Sequence, residues 1–171
     1  MPDGGGSRKP TLVLVAMTLA NAMILIDQTA VPLALPDIEN GLHISSLAVQ
    51  WVLNASLLPL AGLTVLGGRL ADLRGRRKIF VIGSILFAGA SALGGLAPTF
   101  TVLLTARVLQ GVGGALMLPT TVAIVSSAFS QDRAGRALGM MGGIAAVAGA
   151  LGPTVGGVLT AALSWRAVVL G

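Results

Sequence analysis

The sequence predicts an all-α polytopic membrane protein with five full spans and the start of a sixth, on three observations. Hydrophobic residues make up 54% of the chain and charged ones only 10%, less than half the charge of an ordinary soluble domain. Charge-free runs extend from Thr11 to Ile26, Ile44 to Gly68, Ile79 to Ala106, Val108 to Gln131 and Ala137 to Trp165. Most of these can cross roughly 30 Å of hydrocarbon as a helix of about 20 residues. The connections between them are short, and three segments gather nearly all the basic residues.

The runs place helix 1 at about Thr11 to Leu35 and helix 2 at Ala48 to Ala71. Helix 3 follows from Ile79 to Leu96, helix 4 from Thr101 to Ser126 and helix 5 from Ala137 to Leu163. A sixth begins at Ser164, Trp165 and Arg166 and stops at Gly171, too short to span. Helices are favoured over strands because backbone in lipid must satisfy its own hydrogen bonds, and these runs are too long and uniformly apolar for tilted barrel strands. Residues 1–10 form a polar tail, and residues 11–171 form the transmembrane bundle. The run behind the tail is too long for a signal peptide and lacks a small-residue cleavage site, so helix 1 stays in the mature protein.

Basic residues are retained on the cytoplasmic side. Arg8 and Lys9, then Arg69, Arg74, Arg76, Arg77 and Lys78, then Arg133 and Arg136 fall in segments that share one side, which places the amino terminus in the cytoplasm and the protein in the plasma membrane. The opposite connections offer Asp37, Glu39 and His43, then Pro98 and Thr99, with Arg166 as their basic residue. His43 is expected in a wet external loop, without a function. The net charge of +5 does not point to nucleic acid, because the basic residues sit in short turns without aromatic partners for stacking. The chain has no Cys, which excludes disulfides, thiolate metal sites and thiol catalysis. Without a nucleophile elbow, a metal-ligand cluster or a phosphate loop, neither an enzyme nor a cofactor is expected.

The turn after helix 2 carries Gly68, Leu70, Ala71, Asp72, Gly75, Arg76 and Arg77 in a spacing that resembles the loop between helices 2 and 3 of the major facilitator superfamily. Gly68 is expected to let a neighbouring helix approach, Gly75 to permit a tight turn, and Asp72 to sit among cations. Leu73 stands where that family commonly has a basic residue. The resemblance implies that the loop braces the two halves of a transporter and releases as they rock. Asp27, Thr29 and Pro36 near the end of helix 1 resemble the corresponding motif of the fourteen-helix drug:proton antiporters, with Pro32 where those usually have Asn. Gln50, Trp51 and Val52 of helix 2 echo the same group, with Ser56 in place of a common Tyr.

Helix 4 carries Arg107, Gln110, Gly111, Gly113 and Gly114, similar to a family motif built around a membrane-embedded Arg. A dinucleotide loop fails as a reading of these glycines, since no βαβ unit surrounds them and Leu116 stands where a third Gly belongs. Gly139, Gly152, Pro153, Gly156 and Gly157 of helix 5 match the spacing of the antiporter motif of exporters, with Ala148 replacing one Gly. Taken without the family, they are also ordinary small-residue packing positions.

Asp27 and Arg107 are the ionisable residues well inside the spans, where each costs roughly 2.5 to 3.5 kcal/mol on insertion scales. At 1.5 Å per residue both lie roughly 9 to 12 Å below the outer boundary, which makes a charge pair plausible. In the family, helices 1 and 4 correspond within an internal repeat, so the pair would bridge the repeat axis. The expectation is that Asp27 exchanges a proton and binds cationic groups in turn, while Arg107 keeps it charged between those events. A structural ion pair that only fixes packing is the competing reading.

The resemblance therefore implies an incomplete N-terminal half of a proton-coupled antiporter of drugs or small hydrophobic cations. Its partners would be the lipid bilayer, the substrate and the missing C-terminal half, with a proton gradient as energy source. The alternatives are a non-transporting membrane fragment or interaction protein, and a superfamily transporter of another substrate class.

Overall fold

Six helices carry the described residues, 8–170, of the computed structural model: α1 Arg8–Leu42, α2 Ser46–Arg74, α3 Arg76–Gly95, α4 Phe100–Ala128, α5 Gln131–Ala162 and α6 Trp165–Leu170. Five are long and apolar enough to cross a membrane, and no strand occurs among the described residues. Residues 1–7 of the expected tail, and Gly171, lie outside the described residues.

The helices overrun the apolar windows that predict them, and α1 does so most. It continues past Leu35 to Leu42 through Pro32 and Pro36. A proline removes one backbone donor and crowds the preceding turn, but its fixed φ is helical, so the helix resumes where packing holds it. Packing does hold it here: Ala34 and Ile38 continue the buried stripe of Ala30 and Val31 into the largest apolar cluster, with Val49, Val52, Leu103 and Trp165. Asp37 and Glu39 consequently ride on the last turns of α1 instead of in a loop, and Ser46 Oγ donates to Glu39 Oε1 at 2.6 Å. His43 ends the helix at a positive φ of 52° and is exposed.

Capping sets two other starts. Ser45 Oγ accepts from the Ala48 amide at 3.2 Å and Thr99 Oγ1 accepts from the Val102 amide at 3.4 Å, so α2 and α4 begin slightly before Ala48 and Thr101. At its start, α5 gains the turns holding Asp132, Arg133 and Arg136, which are exposed and compatible with a helix leaving the membrane. Between α2 and α3, Gly75 takes a φ of +98°, a region costly for any residue with a Cβ, and its amide donates to the Ala71 carbonyl at 2.9 Å.

The axis of the bundle is α4, half of whose apolar window (50%) is buried, against 22% for α2 and α5. It packs along α2 and α3, while α5 packs along α1. The α1–α5 seam is closed by small residues: a Cβ at Gly156 would lie 2.7 Å from the Ala30 carbonyl oxygen, and one at Gly152 would collide with Thr29 Oγ1. Gly139, nearer the start of α5, faces open space.

Gly156→Leu is therefore expected to destabilise the bundle by about 1–3 kcal/mol through overpacking. Gly139→Ala should stay within about 0.5 kcal/mol of the parent in the same thermal unfolding series in detergent.

Candidate functional site

Asp27 on α1 and Arg107 on α4 meet in the bundle interior, both buried. Arg107 Nη1 donates to Asp27 Oδ1 at 2.8 Å and to Oδ2 at 3.0 Å. Gln110, one turn along α4, completes a triangle: its Oε1 accepts from Arg107 Nη1 at 2.7 Å and its Nε2 donates to Asp27 Oδ1 at 3.1 Å. Gln28 Nε2 donates to Oδ2 at 3.3 Å.

The remainder of the guanidinium is held by α2. Nε donates to the Val52 carbonyl at 3.2 Å, and Nη2 donates to Ser56 Oγ at 2.8 Å. Helix 2 comes this close because Gly111 faces it; a Cβ there would collide with the Ser56 carbonyl oxygen. Gln110 Nε2 also donates to Ser91 Oγ of α3 at 3.1 Å. The charge is thus spread over α1, α2, α3 and α4, as a buried ion requires if its desolvation is to be offset.

Apolar layers seal the network. Toward the Leu42 end of α1 lie Val31, Leu103 and the side chain of Val52 in the large cluster; on the other side lie Ile24, Phe87 and Met117. On one side Asp27 borders a cavity of about 180 Å³ between α1, α3, α5 and α6, lined by Met23, Ile26, Phe87, Leu159 and Val168 among others. Asp27 is the single ionisable residue in that lining.

The carboxylate's hydrogen-bonding neighbours, Arg107, Gln110 and Gln28, are all donors to it.

The other motif residues divide. Thr29 Oγ1 turns back to the Leu25 carbonyl at 2.8 Å and sits under Gly152, while Pro36 is exposed near the end of α1. Gly152 and Gly156 join α5 to α1, Gly157 makes ordinary contact with Leu33 at 3.5 Å, and Pro153 lies within α5. In the α2–α3 turn Arg76 bridges helices: Nη1 donates to Ser127 Oγ at 2.6 Å and to the Ala123 carbonyl of α4 at 3.2 Å, and Nη2 lies 3.4 Å from Asp72 Oδ1. Arg77 borders an apolar recess with Leu12, Phe80 and Ile124. The close approach expected of Gly68 belongs instead to Gly67, where a Cβ would collide with the Ala115 carbonyl oxygen; Gly68 has 3.5 Å to Pro119 Cβ. The roles of Ser56 and Ser91 are not visible in the sequence, where a serine on an apolar helix carries no mark of its partner.

Five membrane-length helices enclose a buried cross-helix charge pair, the pattern of an integral membrane protein. The chain belongs to the Major Facilitator Superfamily, whose family model matches residues 17–171. It is 40% identical over 154 residues to the puromycin resistance protein pur8 of Streptomyces alboniger, covering 90% of this chain and 31% of that protein. Similarity to the cephamycin export protein CmcT of Amycolatopsis lactamdurans is 38% over 161 residues, 94% of this chain and 33% of the relative. The multidrug resistance protein Stp of Mycobacterium tuberculosis is 39% identical over 163 residues, 95% and 30% of the two chains. A solved bacterial homologue of the human lysosomal transporter Spinster, inward-facing and unoccupied, superimposes with a TM-score of 0.66 at 28% identity, covering 90% of this chain and 30% of that one. The chain thus spans about a third of the length of these relatives.

Breaking the pair from one side leaves an uncompensated buried charge, so Asp27→Asn or Arg107→Gln alone is expected to cost about 3–5 kcal/mol of stability. The double variant should lose less than the sum of the two, measured by thermal unfolding; additive losses would show that the two side chains are not coupled.

Proposed function

We propose that this chain is the N-terminal portion of a proton-coupled exporter of small hydrophobic or cationic molecules, working by antiport in the plasma membrane. Its amino terminus lies in the cytoplasm, with residues 1–10 as a polar tail and 11–171 as the first transmembrane bundle. The remaining length of the transporter supplies the rest of the substrate path. The observation that carries this reading is Asp27, a carboxylate inside a membrane bundle, held by Arg107 and bordering an apolar cavity.

The cycle follows from the charge. Facing the cytoplasm, Asp27 releases its proton there and its carboxylate attracts a cationic substrate in competition with Arg107. Facing outward, a proton from outside adds to the carboxylate, cancels that attraction and frees the substrate outside. When neither is bound, Arg107 and Gln110 satisfy the carboxylate. One proton inward for one monovalent cation outward moves no net charge, so the exchange draws on the pH difference, about 1.4 kcal/mol per pH unit. The potential adds about 2.3 kcal/mol per 100 mV only where the exported molecule is neutral. In this reading the Gly152 and Gly156 seam keeps α5 moving with α1, and the Arg76 bridge to α4 steadies the cytoplasmic face in one orientation. The relatives named for antibiotic resistance and export support efflux as the direction.

The test uses the full-length protein in everted membrane vesicles with a lipophilic cationic dye and an imposed pH gradient. Asp27→Asn should reduce gradient-driven export per inserted molecule at least about tenfold, roughly the effect of 1.4 kcal/mol or more, with export normalised to the amount of folded protein in the vesicles. Undiminished export would remove Asp27 from the coupling role.

A further inference from the structure

An arginine and a carboxylate pair most strongly through two parallel N–H···O bonds, made from two guanidinium nitrogens. Arg107 and Asp27 do not pair that way. Both carboxylate oxygens are reached from one nitrogen, Nη1, at 2.8 and 3.0 Å. The edge formed by Nε and Nη2, which could make the fork, is laid along α2 instead, on the Val52 carbonyl at 3.2 Å and on Ser56 Oγ at 2.8 Å. Nη1 itself is shared with Gln110 Oε1 at 2.7 Å.

Ser56 is fully buried, as are Thr120 and Thr121 of α4, whose hydroxyls bond to carbonyls of their own helix. Ser56 also gives its single hydrogen to its own helix, to the Leu53 carbonyl at 3.0 Å, and in addition turns a lone pair to the guanidinium. Val52 and Ser56 stand one turn apart on one face of α2, so a carbonyl and a hydroxyl together meet one edge of Arg107. Gly111 sets α2 close enough for this: a Cβ there would lie 3.1 Å from Ser56 Cα and would collide with the Ser56 carbonyl oxygen. Nη2 carries two N–H groups, and Ser56 Oγ is the one acceptor it has among the described residues.

We propose that Ser56 is a positioning residue that keeps Arg107 to a one-nitrogen pairing with Asp27 and so leaves the carboxylate available to a cationic substrate. This rests on the reading of Asp27 as the group that binds the cation. A cation that reaches Asp27 has to displace Arg107, and bonds from one nitrogen give way more readily than a fork. Without the Ser56 oxygen, Nη2 is left unpaired in the bundle interior, where an unsatisfied donor is costly. Asp27 is the buried carboxylate among the described residues, and apart from Nη1 its Oδ2 is met by Gln28 at 3.3 Å. Nη2 then turns onto it, the pair becomes two-pronged, and the substrate meets a tighter competitor. Ser56 thus sets the affinity for the cation, while the charge pair itself forms with or without it.

The test is equilibrium binding of a lipophilic cation, tetraphenylphosphonium, to the purified full-length protein, together with KM and kcat for export of a cationic dye from proteoliposomes. Ser56→Val and Ser56→Ala should weaken binding and raise KM roughly tenfold, the scale of one charge-assisted hydrogen bond, with kcat changed far less. Ser56→Thr keeps the acceptor and should recover most of that loss. Thr and Val are isosteric, so any packing disturbance is shared and only the hydroxyl differs. Ser56→Ala adds no atoms and decides the matter where the larger side chains do not fold. Equal binding by Ser56→Thr and Ser56→Val, or by Ser56→Ala and the parent, overturns the role of Ser56 even where Asp27→Asn abolishes cation binding. A fall in kcat at unchanged KM overturns it as well. Parent-like cation binding by Asp27→Asn overturns the reading of Asp27, and the role of Ser56 with it.

Discussion

The fold is organised around one costly group, the buried guanidinium of Arg107. A cation inside a membrane bundle must find acceptors within the protein, because neither lipid nor water will supply them. Four side chains or carbonyls do so here, from Asp27, Gln110, Ser56 and Val52, and they lie on three helices. The relative placement of α1, α2 and α4 at the level of Arg107 is therefore specified by hydrogen-bond geometry, whereas apolar packing between membrane helices tolerates sliding.

Small residues make that convergence possible. Gly111 lies one helical turn from Arg107, and without a side chain it lets α4 settle onto the Ser56 backbone while Arg107 reaches the Ser56 hydroxyl. Gly113 performs the same service against α3, and Gly152 and Gly156 bring α5 onto the face of α1 beside Asp27. The glycine-rich stretches of α4 and α5 are thus the steric complement of the charge network, since each shortens a helix separation that the polar contacts need short.

The spans, their order and the two interior charges were legible because lipid imposes a coarse rule: long apolar runs cross, and an ion within one must be accounted for. Helix ends were less legible, since a helix leaves the membrane without unwinding; Asp37 and Glu39 mark the loss of apolar character along α1 and not its end. Pro32 and Pro36 look like terminators, yet Ala34 and Ile38 keep burying the same face beyond them. Among neighbouring glycines, Gly67 and Gly68 are indistinguishable in sequence, and only the rotation of α2 decides that Gly67 meets Ala115. Ser91 was invisible for a related reason: its partners are nineteen or more positions away, on two other helices.

The proposed antiport requires that the carboxylate held by Arg107 and Gln110 exchange a proton for the substrate. The direct measurement is proton release by the detergent-solubilised full-length protein on addition of a cationic substrate, followed with a pH indicator in weak buffer. Release by the parent that disappears in Asp27→Asn is the result expected if Asp27 exchanges a proton for the substrate. Equal release by both proteins would contradict it and leave Asp27 and Arg107 as a structural pair.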